Sequence, residues 1–335
     1  MYTKRTNNKS FTKLTSAFLI GALGLTLPAV ANAQENFPNR AITMVVGYGA
    51  GGGTDTQTRL TAQYLEEQLG VPVTVQNMPG AGSQVAAASV LRTDADGYTI
   101  LATNQPDLSI TIAVGNAPYK LTDFDLLAVD IYEPRILMVS KDAPFEDFSD
   151  FVEMAKAEPG KLSLSVTSGG AQEQFARWLV RALDIDVRIV GYSSGSETTS
   201  AVMGGHVTGT IGDDFARFNM RDESKALLIG SDDVSPRWPE AEPMTKALAP
   251  FGVVPPVPDY LARYQVYAVP ASVKANYPER FEILQEALVA LSDDREYQNV
   301  VKARGFEDLS LMAPAEGYSA IFESTLNALL SSKSN

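Results

Sequence analysis

The densest chemistry-bearing run in the 335-residue chain is Met44-Val45-Val46-Gly47-Tyr48-Gly49-Ala50-Gly51-Gly52-Gly53-Thr54-Asp55, an apolar strand pattern that passes through glycines into a helical one. Gly47, Gly49 and Gly52 satisfy the G-x-G-x-x-G spacing of a dinucleotide fold. The acid such a fold needs at the end of its second strand is missing, because Val75 is followed by Gln76 and Asn77. No Gly-Lys-Ser/Thr follows the glycines, which excludes a nucleotide P-loop. The chemistry that survives is general. Glycines let backbone N–H groups line a cleft, and a helix starting near Thr54 and Asp55 adds its positive end, so the loop suits an anion. The competing reading is a tight strand-to-helix turn with Asp55 as a simple N-cap.

Further runs could line the same cleft. Asn77-Met78-Pro79-Gly80-Ala81-Gly82-Ser83 again joins a strand to a helix, and Thr167-Ser168-Gly169-Gly170 follows a strand in the later half. Glycine loops at the carboxyl ends of parallel strands form the crevice where open α/β sheets bind ligands. Gly191-Tyr192-Ser193-Ser194-Gly195 matches the G-x-S-x-G nucleophile elbow of a serine hydrolase, which would use Ser193. The only available base is His206, 13 residues later, and Asp213 and Asp214 come after it, whereas that fold places the acid before a late histidine. His206 is expected on an exposed turn. Asp213 and Asp214 end a strand and could bind an ammonium group or a hard cation, although neighbouring side chains diverge. Arg135 and Arg177, near strand ends and helix starts, could each clamp a carboxylate.

These loops require regularly alternating elements. Ile42–Val46, Val71–Gln76, Tyr98–Ala102, Ile136–Val139, Leu162–Val166, Val187–Val190, Thr208–Ile211 and Leu227–Ile229 read as buried strands. Asp55–Leu69, Ser83–Arg92, Phe148–Ala157, Gln172–Leu183 and Ser196–Met203 have helical periodicity, so the pattern predicts α/β architecture with parallel sheets covered by helices. From Pro278 onward only helices are expected, and Val253 to Pro258 reads as an extended connection.

Composition narrows the class. Absence of cysteine removes disulfides and thiolate chemistry, and a single histidine removes any metal site built on two imidazoles. No metal or cofactor is expected. Residues 1–33 carry Lys4, Arg5, Lys9 and Lys13 without an acid, then an apolar run, then Ala31-Asn32-Ala33, the pattern of a secretory signal peptide cleaved after Ala33. Removing those four bases leaves 23 against 40 acids, a balance of -17 that opposes nucleic-acid binding. A soluble exported protein, periplasmic in a cell with two membranes, is the expectation.

Three stretches taken in series closely resemble the Bug family, the solute-binding proteins of tripartite tricarboxylate transporters. They are Tyr48 to Asp55, Gln76-Asn77-Met78-Pro79-Gly80-Ala81-Gly82 and Asp96-Gly97-Tyr98-Thr99-Ile100-Leu101, with Pro159-Gly160-Lys161-Leu162 and Gly204-Gly205-His206-Val207 as further marks. The resemblance implies a bilobal type II periplasmic-binding fold with two parallel-rich sheets flanked by helices. Residues 34–135 plus 265–335 would form lobe 1 and residues 136–264 lobe 2. It implies capture of a small organic carboxylate, delivery to large and small permease subunits, no catalysis, and a monomer. One ligand carboxylate would meet Tyr48, Gly51, Gly52, Thr54, Asp55, Gly80, Ala81 and Gly82. The distal end would meet Thr103, Asn104, Ser168, Gly169, Gly170, Gln174, Tyr192 and Gly195, with Asp213 facing the crevice. Departures fall in this pocket: Gly47-Tyr48 replaces a usual Pro-Phe, Gly169-Gly170 an Asn-Gly, Gln174 a frequent His, and Asp213-Asp214 a commoner Asp-Asn or Asp-Ser. An extra acid facing the cleft would favour a ligand with a neutral or cationic distal end.

Overall fold

Each of the first three strands runs straight into a helix. In the computed structural model, which describes Met1, residues 36–256 and residues 260–332, β1 (Ile42–Val46) leads to α1 (Gly53–Leu69), β2 (Val73–Asn77) to α2 (Gln84–Val90), and β3 (Thr99–Gln105) to α3 (Asp107–Ala113). The 17-residue β4 (Phe124–Ser140) precedes α4 (Phe148–Ala157), β5 (Ser163–Thr167), α5 (Ala171–Ala182), β6 (Arg188–Tyr192) and α6 (Gly195–Met203). Then come β7 (Gly209–Asp213), β8 (Ser224–Ile229), the short β9 (Glu242–Pro243), α7 (Met244–Leu248) and β10 (Ala262–Pro270). The chain closes with α8 (Ala271–Asn276), α9 (Pro278–Val289), α10 (Arg295–Arg304), β11 (Ser310–Pro314) and α11 (Ser319–Ser332). The expected signal peptide lies outside the described residues but for Met1, and all of these elements belong to the compact unit that begins at Phe37.

Two parallel ladders, β2-β1-β3 and β6-β5-β7, carry the glycine loops at their carboxyl ends. The expected parallel-rich sheets flanked by helices are thus present, and the long β4 and the antiparallel β10 join them along one path of order β2-β1-β3-β10-β4-β7-β5-β6. β4 pairs with β10 up to Pro134 and with β7 from Arg135, so the change of partner falls at a proline, which has no N–H to give to a ladder. The chain is not purely helical beyond Pro278, because β11 pairs with β4. The β11 sequence, Ser310-Leu311-Met312-Ala313-Pro314, contains no β-branched residue and gave no strand signal.

Each ladder has its own core. Ile42, Leu65, Ile100, Leu284 and Phe306 pack under the first, and Phe151, Leu164, Phe175, Ile211 and Leu261 under the second. Burial of each such side chain contributes roughly 1.5–3 kcal/mol, which holds the strand ends that carry the loops in fixed positions.

Candidate functional site

The first glycine loop is tied down by one side chain of β2. Asn77 Nδ2 donates to the Tyr48 carbonyl at 3.0 Å and to Asp55 Oδ1 at 2.8 Å, while Asp55 Oδ2 accepts from Gly51 N–H at 2.8 Å. Asp55 is therefore not the N-cap; the helix starts at Gly53 after Gly52, and the carboxylate organises the loop instead. Burial pushes the Asp55 carboxyl up, but hydrogen bonds from Arg59, Gly51 and Asn77 outweigh it and hold the pKa below the ordinary aspartate value.

The second loop has an uncommon backbone. Gly80, Ala81, Gly82 and Ser83 all have positive φ, at 144°, 47°, 63° and 75°. Positive φ at the non-glycine Ala81 and Ser83 is unfavourable, and such conformations concentrate where a loop must present its groups to a ligand. Among the described residues, the N–H groups of Gly80, Ala81 and Ser83 donate to no protein acceptor, and Ser83 Oγ accepts from Thr103 Oγ1 at 2.8 Å, which leaves its own proton free.

Loops of the two ladders meet face to face. Gly82 N–H donates to the Ser168 carbonyl at 3.0 Å and Gly49 N–H to the Ser193 carbonyl at 3.3 Å. Between them lies a cavity of about 420 Å³ lined by Tyr48, Gly80, Ala81, Gly82, Ser83, Ser168, Tyr192, Ser193 and Glu197. A smaller space of about 20 Å³ adjoins it at Tyr48 and is lined by Gly52, Thr54, Asn104, Asp107, Arg135, Gln172, Gly195 and Asp213. A cavity of about 620 Å³, lined in part by Gly51, Ser196, Arg217 and Arg263, is lined by no residue of the Gly80 to Ser83 loop and not by Ser168.

Beneath the small space lies a buried charge cluster. Arg135 donates through Nε to Asp213 at 3.0 Å and through Nη2 to Asp107 at 3.1 Å. Arg263 pairs with Glu133 and approaches Asp213 at 3.5 Å. Burial alone would raise the Asp213 carboxyl, but Arg263 and Arg135 bring it down to about 2. Asp214 points elsewhere, to Ser235 and Arg237, so the two adjacent acids diverge. The Tyr48 hydroxyl, buried beside Thr103 and Asn104, completes no hydrogen bond among the described residues. Burial, reinforced by the Asp107 charge, pushes its pKa well above the ordinary tyrosine value.

The structure thus brings together Tyr48, Gly80, Ala81, Gly82, Ser168 and Tyr192 around one cavity and Gly52, Thr54, Asn104, Gly195 and Asp213 around its neighbour. Thr103 supports Ser83 from below. Gly169 and Gly170 abut Ala81, Gly82 and Asp107, and Gly51 lines the 620 Å³ cavity instead. Gln174 lines none of these spaces; Gln172, half a helical turn earlier, lines the small one and accepts from Thr167 N–H at 2.9 Å. Arg177 is exposed and bonds Glu173. Ser193 Oγ donates to Glu197 at 2.8 Å rather than to an imidazole, and His206 is exposed on the turn after α6. Asp107 and Glu133 escaped the sequence reading; the only signal for Asp107 was an acid following Pro106 at the end of a strand.

Residues 57–257 match the model of the tripartite tricarboxylate transporter receptor family, TctC. The chain belongs to this family. A UPF0065 protein of Cupriavidus necator is 33% identical over 248 residues, 70% of this chain and 74% of that protein. BugT of Bordetella pertussis is 28% identical over 247 residues, 71% and 74% of the two chains. The structure of MatC from Rhodopseudomonas palustris with bound malate superposes with a TM-score of 0.74 at 20% identity, over 88% of this chain and 99% of that one. Family and fold are those of periplasmic substrate-binding proteins, not enzymes, and no helix among the described residues is long and apolar enough to cross a membrane.

Proposed function

We propose that this protein captures a small organic carboxylate in the 420 Å³ crevice and hands it to a membrane permease. The observation that carries the reading is the run of positive-φ residues Gly80 to Ser83, three of whose N–H groups have no acceptor among the described residues and whose residues line the crevice. Backbone N–H groups in such a turn form an anion-binding concavity. Ser83 and Ser168 hydroxyls add donors, and bonds such as Gly82 to Ser168 couple closure of the crevice to its contents.

The two ladders with separate cores support lobes near residues 34–135 plus 265–335 and 136–264, hinged where β4 and β10 cross between them. Closure would be the signal read by the large and small permease subunits, and binding by a monomer meets that need. Export to the periplasm with cleavage after Ala33 fits the family. Carboxylates should raise the melting temperature of the mature chain, as mass action requires of a ligand bound only by the folded state. Ser83→Ala should weaken binding about tenfold or more, since a hydrogen bond to a charged group contributes about 1.5–3 kcal/mol. If no carboxylate stabilises the protein, the reading fails.

A further inference from the structure

Helix α5 begins at Ala171, and its N-cap, Gly170, supplies no side-chain cap. The anion seat at its N-terminus is nevertheless taken. Asp107, from the segment that follows β3, reaches across the crevice so that Oδ1 accepts from Ala171 N–H, 64 positions away in sequence, while Oδ2 accepts from Arg135 at 3.1 Å. Asp107, Arg135 and Ala171 are at most 2% exposed. A Cβ added at Gly170 would stand 2.1 Å from Asp107 Oδ1, so a glycine is needed for the carboxylate to sit there.

We infer that Asp107 is a built-in substitute for the second carboxylate of a ligand, and that it restricts this protein to monocarboxylates. This rests on the carboxylate reading above and deepens it. One guanidinium N–H of Arg135 together with a helix N-terminus is the arrangement that would otherwise hold a distal carboxylate. With Asp107 in place, the remaining space of about 20 Å³ accommodates roughly one water and no carboxylate group. A second negative group brought to this seat would also face Asp107 and Asp213 in a buried setting, where like charges repel most strongly. Glu197, on the wall of the 420 Å³ crevice, adds a further acid against a dianion.

Calorimetric titration of the mature chain with chain-length-matched pairs, butyrate against succinate and pentanoate against glutarate, tests this. The wild type should bind the monocarboxylate at least tenfold more tightly, a difference of about 1.4 kcal/mol. Asp107→Ala, and independently Asp107→Ser, should invert the preference by admitting the second carboxylate to Arg135 and the α5 N-terminus. Wild-type binding of succinate or glutarate as tight as that of its partner would overturn the inference while leaving carboxylate capture intact. So would folded variants, verified by circular dichroism, that bind no dicarboxylate better than the wild type does. Failure of every carboxylate to bind the wild type would overturn both readings.

Discussion

Arg135 and Asp213 face one another across a rung of the β4–β7 ladder, with Nε 3.0 Å from Oδ1, at the point where β4 leaves β10. The pair lies at the seam between the ladders, so the charge cluster is anchored by backbone register as well as by side-chain contact.

Removal of the arginine takes the ion-pair partner from Asp107 and leaves Asp213 its 3.5 Å approach to Arg263. Arg135→Leu leaves Asp107 and Asp213 without their shared cation, which should destabilise the fold by about 3–5 kcal/mol, the usual cost of breaking a buried pair from one side. Arg135→Lys should recover only part of this, because a point charge cannot serve both carboxylates as a planar fork does. Urea unfolding at neutral pH measures both.

Acid should dissolve the same cluster. Asp213 is held at about 2 in the folded protein, against roughly 3.9 for an unfolded aspartate. A depressed folded value gives stability that is fully present above the unfolded value and is lost as pH falls through the folded one, so the loss should run between about pH 4 and pH 2. In Asp213→Asn the protein should be less stable at pH 7 and should lose less on acidification across that window. Equal acid slopes for the two proteins would show that Asp213 is not the responsible group.

Close approach of the loops depends on glycine. A Cβ at Gly169, where φ is 79°, would lie 2.5 Å from the Ala81 carbonyl carbon, and a Cβ at Gly82 would lie 2.5 Å from the Gly169 oxygen. Gly169→Val should therefore wedge the crevice open, preserve far-ultraviolet circular dichroism and abolish ligand-induced stabilisation. A folded variant with normal stabilisation by ligand would contradict a closed crevice as the binding state.

Asn77 should matter for binding more than its exposure suggests. Asn77→Ala removes the donor shared by Tyr48 and Asp55, and a cost of about 1–3 kcal/mol is expected from the acceptors left unpaired. Ligand affinity should fall with it, because the first loop loses its tie to β2.

Much of this site was readable from the sequence because glycine and proline are explicit about backbone. Gly80 and Gly82 marked a loop that could line a cleft, and the strand-loop-helix order placed it at the same sheet edge as Gly47 to Gly53. Contacts between distant segments were not readable. Asp107 sits after Asn104-Gln105-Pro106 with no motif around it, and its partner Ala171 lies in another ladder. Glu133 and Arg263 break the apolar pattern of their own strands, since a buried ion pair between β4 and β10 reads as two solvated charges until the strands are paired. Gln174, placed in the pocket by the resemblance, lines neither space of the site, because a residue-by-residue likeness does not reveal helix phase.

A crystal structure of the mature protein with a carboxylate selected by thermal shift tests the central claim most directly. The expected result is one carboxylate group within hydrogen-bonding distance of the N–H groups of Ala81 and Ser83, in the crevice closed by Gly82 and Ser168. A carboxylate seated instead in the larger cavity beside Arg217 and Arg263, with Gly80 to Ser83 untouched, would contradict it.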